Sequence, residues 1–122
     1  MTYLPRILLI DDEKDFLYLS TTLLRRQGFD VYSMSNVDEV LSTVKSFSPK
    51  IIILDVRLAK YDGRVLCRQL KTQTDTNGVK VLLHSALAEL GKEYAQYGAV
   101  EFMLKPYSIE FLISRISYHL QI

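Results

Sequence analysis

Three short runs rich in aliphatic residues, without alternation of polar and apolar positions, set the architecture of this chain. They lie at residues 6–10, 51–54 and 79–83. Because they do not alternate, they predict strands covered on both faces, which is typical of parallel sheets. Two weaker strands are predicted at residues 30–33 and 101–104, where Gly28 and Gly98 suit the ends of the preceding helices. The chain is therefore expected to form five strands.

Segments with helical spacing of apolar residues separate these strands. Asn36 and Glu39 resemble a capping box before the second helix, and Ser108 suits the N-cap of the last. A fourth helix is predicted at residues 88–97, although Gly91 within it costs about 1 kcal/mol relative to alanine. Alternating strands and helices predict a doubly wound α/β fold, in which five helices cover both faces of a five-stranded parallel sheet.

Length, charge and cysteine content exclude several classes of protein. The 122 residues are 48% apolar, which suits one domain spanning residues 1–122 with no output domain. Fifteen basic against fourteen acidic residues give a charge of +1, so direct nucleic-acid binding is not expected. The longest aliphatic runs are far shorter than the roughly twenty residues of a membrane span. Pro5 and Arg6 interrupt any secretory signal, and the single Cys67 cannot form an internal disulfide, so a cytoplasmic location is expected.

Polar residues follow the predicted strands at what should be one edge of the sheet. Asp11 and Asp12 follow the first strand, and Asp55 follows the third. The first two alone would suit an acidic helix start, but three carboxylates at neighbouring strand ends repel one another unless a cation neutralises them. Oxygen ligands with room for water favour Mg²⁺, for which Mn²⁺ can substitute.

Ser85 and Lys105 end the fourth and fifth predicted strands. Alone, the serine would be a helix cap and the lysine a solvated side chain before Pro106. Around Asp55, however, a hydroxyl, an ammonium and a metal ion would form a receptacle for a phosphoryl group. Asp55 would then be the nucleophile that accepts it.

These residues resemble the receiver domain of bacterial two-component response regulators. The resemblance spans nearly the whole chain and rests on the following residues: Asp11, Asp12, Asp55, Gly63, Ser85, Ala86, Gly98, Ala99, Phe102, Lys105 and Pro106. It implies a flavodoxin-like fold with strand order 2-1-3-4-5, and phosphorylation of Asp55 by a phosphohistidine. It also implies that Mg²⁺ is held by Asp55, Asp12, Asp11 through water, and the main-chain carbonyl of Arg57.

The resemblance further implies how the domain signals. Ser85 would move toward the phosphoryl group and Phe102 would turn inward, which changes the surface that partners contact. The partners would be a sensor histidine kinase or a histidine phosphotransfer protein, and downstream a protein target or a separate output domain. Glu110 and Arg115 on the last predicted helix suit either a phosphorylation-linked homodimer or solvent. Apart from its own phosphorylation and dephosphorylation, the domain would not be an enzyme.

Departures from the family pattern leave alternatives open. After Asp55 the family often has a Met-Pro step, whereas this chain reads Val56, Arg57, Leu58 and Ala59, so the loop is expected to be less constrained. An aspartyl-phosphate phosphatase-like enzyme usually has a second aspartate where Arg57 stands, and an FMN carrier would not have an acidic loop after its first strand. A receiver-like interaction module that never accepts phosphate is the remaining alternative.

Two histidines and the cysteine are predicted to have no part in the chemistry. Neither His84 nor His119 has a second ligand at metal spacing in the sequence, so His84 is interpreted as a strand-end residue and His119 as helix surface. Cys67 lies among apolar residues at helical spacing and is expected to be partly buried and inert.

Overall fold

The computed structural model describes residues 4–122. Its parallel sheet has five strands, which are β1 (Arg6–Ile10), β2 (Asp30–Met34), β3 (Ile51–Asp55), β4 (Lys80–Ser85) and β5 (Glu101–Leu104). Their spatial order is β2-β1-β3-β4-β5, and each neighbouring pair is parallel. The predicted order 2-1-3-4-5 is confirmed. The central strand β3 is buried along its whole length, as a sheet covered on both faces requires.

Four α-helices cover the sheet, and they are α1 (Lys14–Arg26), α2 (Val40–Phe47), α3 (Gly63–Thr72) and α4 (Ile109–Leu120). Successive residues of β3 face opposite sides: Ile51 and Ile53 pack in the core beneath α1 and α4, whereas Ile52 and Leu54 pack beneath α2 and α3. The predicted doubly wound arrangement is therefore confirmed. None of the helices in the described part of the chain combines the length and apolarity that crossing a bilayer requires.

The helix caps match the sequence pattern in part. The Ser108 hydroxyl accepts a hydrogen bond from the Phe111 amide and caps α4 as predicted. Asn36 also caps, because its side chain accepts from the Asp38 amide. That cap starts a short 3₁₀ turn over Val37–Glu39, however, and α2 begins only at Val40.

The prediction of an α-helix over residues 88–97 is wrong. Two 3₁₀ turns, Ala88–Gly91 and Tyr94–Tyr97, take its place, so the described residues contain four α-helices rather than five. Gly91 explains the difference, because it is buried and the ring of Phe102 fills the space that a β-carbon would need. A glycine also disfavours helix, so close packing on Phe102 outweighs the apolar periodicity of this segment.

This packing predicts that Gly91→Ala destabilises the protein. The new methyl group must displace the Phe102 ring, which should lower the free energy of unfolding by about 1–3 kcal/mol in urea titrations. Gly78→Ala is the matched control, since no atom of the described residues lies within 4 Å of the position that its methyl group would occupy. Its unfolding free energy should stay the same or rise slightly. Equal effects of the two substitutions would contradict the assigned role of Gly91.

Candidate functional site

The carboxyl ends of four strands bring the predicted site residues to one edge of the sheet. Asp11 directly follows β1, Asp55 and Ser85 are the last residues of β3 and β4, and Lys105 directly follows β5. In the sheet register Asp55 lies opposite His84 of β4. Side chains that are far apart in the sequence therefore meet at this edge, which is where ligands bind in doubly wound sheets.

Asp11 lies at the centre of the cluster and is fully buried. Its Oδ2 accepts hydrogen bonds from Lys105 Nζ and from His84 Nε2, each at 2.8 Å, and its Oδ1 accepts from the Glu13 amide at 2.9 Å. Burial opposes ionisation, but these donors together hold the pKa of Asp11 well below its usual range. Asp11 is therefore a carboxylate whose charge Lys105 balances.

Asp55 is also buried, but fewer hydrogen-bond donors compensate for the burial of its carboxylate. Its Oδ1 accepts from the Arg57 amide at 3.2 Å, while its Oδ2 is 3.8 Å from Lys105 Nζ. Burial, followed by the negative charge of Asp11, raises the pKa of Asp55 to about 7 against the attraction of Lys105. One lysine between two buried carboxylates leaves an excess of negative charge at Asp55.

A short hairpin follows Asp55 and closes one side of the site. Arg57–Leu58 pairs in antiparallel fashion with Tyr61–Asp62, and Ala59 at its tip has a φ of 47°. The Ala59 amide donates to Asp12 Oδ2 at 3.1 Å, which ties the hairpin to the end of β1. Backbone pairing and Asp12 therefore hold this loop, which was expected to be less constrained without a Met-Pro step.

Gly63 lets this hairpin return directly to the sheet. Its amide donates to the Val56 carbonyl at 2.7 Å, and a β-carbon at Gly63 would collide with the carbonyl of Asp55. Only glycine allows so close an approach of the two backbones. The glycine noted in the sequence thus fixes the position of the Asp55 main chain.

The remaining predicted site residues lie around this cluster with different partners. Asp12 is exposed and turned toward the hairpin amide. Ser85 is buried, and its hydroxyl accepts from the Leu87 amide at 3.1 Å. Phe102 is half-buried against Gly91 and the core beneath α2 and α3. The structure thus brings Asp11, Asp55 and Lys105 into one cluster, with Asp12 at its rim.

His84 is the residue that the sequence interpretation missed. It is fully buried; its Nε2 contacts Asp11, and its Nδ1 lies 2.6 Å from the hydroxyl of Tyr107. Spacing along the sequence did not reveal its partners, since Asp11 and Tyr107 come from other strand ends. A histidine within an otherwise aliphatic strand was the available signal, because a buried polar side chain requires hydrogen-bond partners.

His119 and Cys67 are also predicted to have no part in the chemistry, and the structure bears out the predicted surroundings only for Cys67. The interpretation of His119 as helix surface is wrong, because its ring is largely buried and its Nε2 lies 2.7 Å from Glu101 Oε1. Cys67 is fully buried, and burial raises the pKa of its thiol to about 11. Its predicted inertness agrees with this environment, since the thiolate is the reactive form.

The donor atoms at the site suit a small hard cation. Carboxylate oxygen atoms of Asp11 and Asp55 lie within 4.8 Å of one another, and Asp12 contributes a further carboxylate at the rim, while both nitrogens of the neighbouring His84 ring are engaged by other groups. The raised pKa of Asp55 reflects charge that a bound cation would offset. Carboxylate oxygens are the ligands that Mg²⁺ prefers.

A doubly wound sheet with paired carboxylates and a lysine beyond its strand ends defines the receiver class of α/β domain. Comparison with known families agrees: the family model of the response regulator receiver domain matches residues 7–117. The chain belongs to this family, the receiver domains of two-component response regulators.

Three relatives illustrate the match. The probable transcriptional regulator ycf27 of Porphyridium aerugineum is 32% identical over 113 residues, which cover 91% of this chain and 46% of the relative. The regulatory protein PhoP for alkaline phosphatase synthesis in Bacillus subtilis is 33% identical over 112 residues, with the same shares. The BeF₃-activated receiver domain of DrrB, a Thermotoga maritima protein, has a TM-score of 0.84 and 25% identity over 98% of this chain and all of its own. The chain thus spans about half the length of the curated relatives.

The raised pKa predicts that Asp55→Asn stabilises the cation-free protein at high pH. Between about pH 4 and 7 an unfolded chain has lost the Asp55 proton while the folded chain keeps it, so stability falls as the pH rises from about 4 to about 7 and levels off above that. In EDTA, urea titrations should show Asp55→Asn more stable than the parent by about 4 kcal/mol at pH 8, with little difference at pH 4. Asp75→Asn, at an exposed site, is the control and should change neither value. A gain that is the same at both pH values would show that charge is not its cause.

Proposed function

We propose that this receiver domain accepts a phosphoryl group on Asp55 from a phosphohistidine of a sensor histidine kinase or a histidine phosphotransfer protein. The observation that carries the proposal is the pairing of Asp55 with Lys105 and Asp11. When ionised, Asp55 is a buried carboxylate without full charge compensation, because Lys105, the ammonium beside it among residues 4–122, is bound more closely by Asp11. Such a pocket suits the transient binding of a cation and a phosphoryl group.

The transfer forms one bond and breaks one. A carboxylate oxygen of Asp55 bonds to phosphorus, the P–N bond of the phosphohistidine breaks, and its electron pair stays on the imidazole nitrogen. Mg²⁺ or Mn²⁺ held by Asp55, Asp12, Asp11 and the Arg57 carbonyl would offset charge on the phosphoryl oxygens. Lys105 would move from Asp11 toward one of the phosphoryl oxygens. The Ser85 hydroxyl would give up its bond from the Leu87 amide and donate to another phosphoryl oxygen. Water can later release inorganic phosphate, which restores the carboxylate.

The new hydrogen bonds would supply part of the energy for a switch. Each charge-assisted bond, from Lys105 and from Ser85, contributes about 1.5 to 3 kcal/mol. Their gross sum is comparable to the roughly 5.5 kcal/mol that moves a two-state equilibrium from 1:99 to 99:1. The bonds to Asp11 and from Leu87 are lost in exchange, so the net shift is smaller and the bound cation must add to it. Phe102 would respond next, because its ring packs on the 3₁₀ turn at Gly91, a few residues beyond Ser85. This turn, β5 and α4 would then form the surface that changes.

The domain would act through protein contacts rather than by binding nucleic acid itself, since its net charge is +1. We interpret residues 1–122 as a single receiver domain, cytoplasmic in location, whose signal passes to a protein target or a separate output domain. A homodimer that used Arg115 would have to replace a bond within the chain, because this guanidinium already binds Glu101 at 2.7 Å. Two of the relatives, from Porphyridium aerugineum and Bacillus subtilis, are named as transcriptional regulators, which favours a regulatory output.

Acetyl phosphate provides the direct test. With Mg²⁺, intact-mass spectrometry should show the addition of a single phosphoryl group, because Asp55 is the one proposed acceptor. Asp55→Asn should abolish this addition, whereas Asp75→Asn should retain it, since that carboxylate is exposed and remote. Turnover of a supplied phosphate ester, or no addition to the parent protein, would favour the phosphatase-like or the non-phosphorylated alternative.

The proposed cation site should also depend on pH. A metal ion binds the ionised form of Asp55, so below its pKa of about 7 binding must displace a proton. Calorimetric titration with MgCl₂ should therefore show affinity about tenfold weaker at pH 6 than at pH 8, with proton release at pH 6. Asp75→Asn should show the same dependence. An affinity unchanged between these pH values would contradict the participation of Asp55.

A further inference from the structure

His84 forms a hydrogen-bonded chain behind the phosphoacceptor pocket. Its side chain is fully buried, and both ring nitrogens are engaged: Nε2 with Asp11 Oδ2 at 2.8 Å and Nδ1 with the Tyr107 hydroxyl at 2.6 Å. The chain of contacts therefore runs from Tyr107 through His84 to Asp11, where it meets Lys105. None of the steps proposed above uses His84 or Tyr107.

The chemistry of the groups determines which of them donates and which accepts in each of these hydrogen bonds. Asp11 is ionised and can only accept, so His84 Nε2 carries a hydrogen and donates it. With that hydrogen on Nε2, Nδ1 of the ring is an acceptor, and the Tyr107 hydroxyl 2.6 Å away donates to it. Burial and the charges of Asp11 and Asp55 raise the pKa of Tyr107, which keeps its hydroxyl proton in place.

Aromatic packing fixes the orientation of the imidazole. Phe16 of α1 meets the His84 ring edge-on with centroids 5.1 Å apart, and Tyr107 packs at 5.8 Å on another side. Tyr107 in turn contacts Phe111 of α4, with ring centroids 5.7 Å apart. The Nε2–H group is therefore aimed at Asp11 by its surroundings before any ligand binds.

The hydrogen bond from His84 matters when Lys105 leaves Asp11. Within residues 4–122, Asp11 Oδ2 accepts from two donors, Lys105 and His84, and the Asp11 side chain is fully buried. If Lys105 were its only donor, transfer of the ammonium to a phosphoryl group would leave a buried carboxylate oxygen unpaired, which is strongly unfavourable. The bond from His84 persists and reduces that penalty.

We infer that His84 is a positioning residue which, oriented by Tyr107, keeps Asp11 paired while Lys105 transfers to the phosphoryl group on Asp55. This inference rests on the proposed function. His84 touches neither the phosphoryl group nor the attacking oxygen, and it acts through Asp11. It thereby favours the phosphorylated form of the domain over the free form.

Beryllofluoride, an analogue of the phosphoryl group, provides the first measurement. In the presence of Mg²⁺, His84→Leu removes the donor and should weaken the apparent affinity for beryllofluoride by about tenfold or more. His84→Gln restores an N–H donor and should recover most of that loss. Tyr107→Phe keeps the ring but frees His84 Nδ1, and should weaken affinity by about threefold. Tyr118→Phe, which removes a hydroxyl from an exposed position on α4, is the matched control and should bind like the parent.

Nitrogen NMR of the His84 ring provides the second measurement, and it does not depend on phosphorylation. The parent protein should show a neutral imidazole with its hydrogen on Nε2, and Tyr107→Phe should shift the Nδ1 resonance. This result tests the hydrogen-bonded chain itself, whereas the loss of beryllofluoride affinity in His84→Leu and its recovery in His84→Gln test the role of that chain in binding. Circular dichroism and urea unfolding of each variant establish that it is folded before its affinity is compared.

The outcomes separate the inference from the proposed function. Folded His84→Leu with the parent's affinity would overturn the inference, as would His84→Gln no better than His84→Leu, or a ring with its hydrogen on Nδ1. If the parent protein neither binds beryllofluoride nor accepts phosphate, the proposed function fails. The role of His84 in releasing Lys105 falls with it, while the NMR result still decides whether the hydrogen-bonded chain exists.

Discussion

The buried charge of Asp11 is the interaction on which the rest of the site depends. Asp11 Oδ2 binds Lys105 Nζ at 2.8 Å, whereas Asp55 Oδ2 lies 3.8 Å from the same nitrogen. Because both carboxylates are removed from water, one ammonium cannot satisfy the pair. Ionisation of Asp55 therefore leaves an excess negative charge in the pocket, and this excess makes the site receptive to a cation and to a rearrangement of Lys105.

The fold creates this imbalance by its topology. Parallel strands end at the same edge, so β1, β3 and β5 each deliver one charged residue there, while helices on both faces exclude water from the strands that carry them. Gly63 and the hairpin after Asp55 hold the acceptor strand's end in place. The strand ends thus position the charges of the site.

The hydrogen bonds around His84 extend the site into the core. An aliphatic side chain at this position would complete the hydrophobic strand, but it would leave Asp11 with fewer donors. The imidazole is tolerated in a fully buried position because Tyr107 and Asp11 satisfy both of its nitrogens. Packing and charge are therefore coupled at this point: the residue that breaks the apolar pattern of β4 is the one that stabilises the central carboxylate.

The sequence by itself determined the class of fold and the edge where the site lies, because non-alternating aliphatic runs, helix periodicity and residues at strand ends are local patterns. Asp11, Asp55 and Lys105 were accessible to this reasoning, since each directly ends a strand. Only the tertiary structure decided the 3₁₀ turns at Gly91, the partners of His84 and His119, and the position of Asp12 on the hairpin amide. These depend on contacts between residues distant in the chain. Close packing on Phe102 overrides local helix periodicity, and the hydrogen-bond partner of a buried polar group is set by the geometry of the folded sheet.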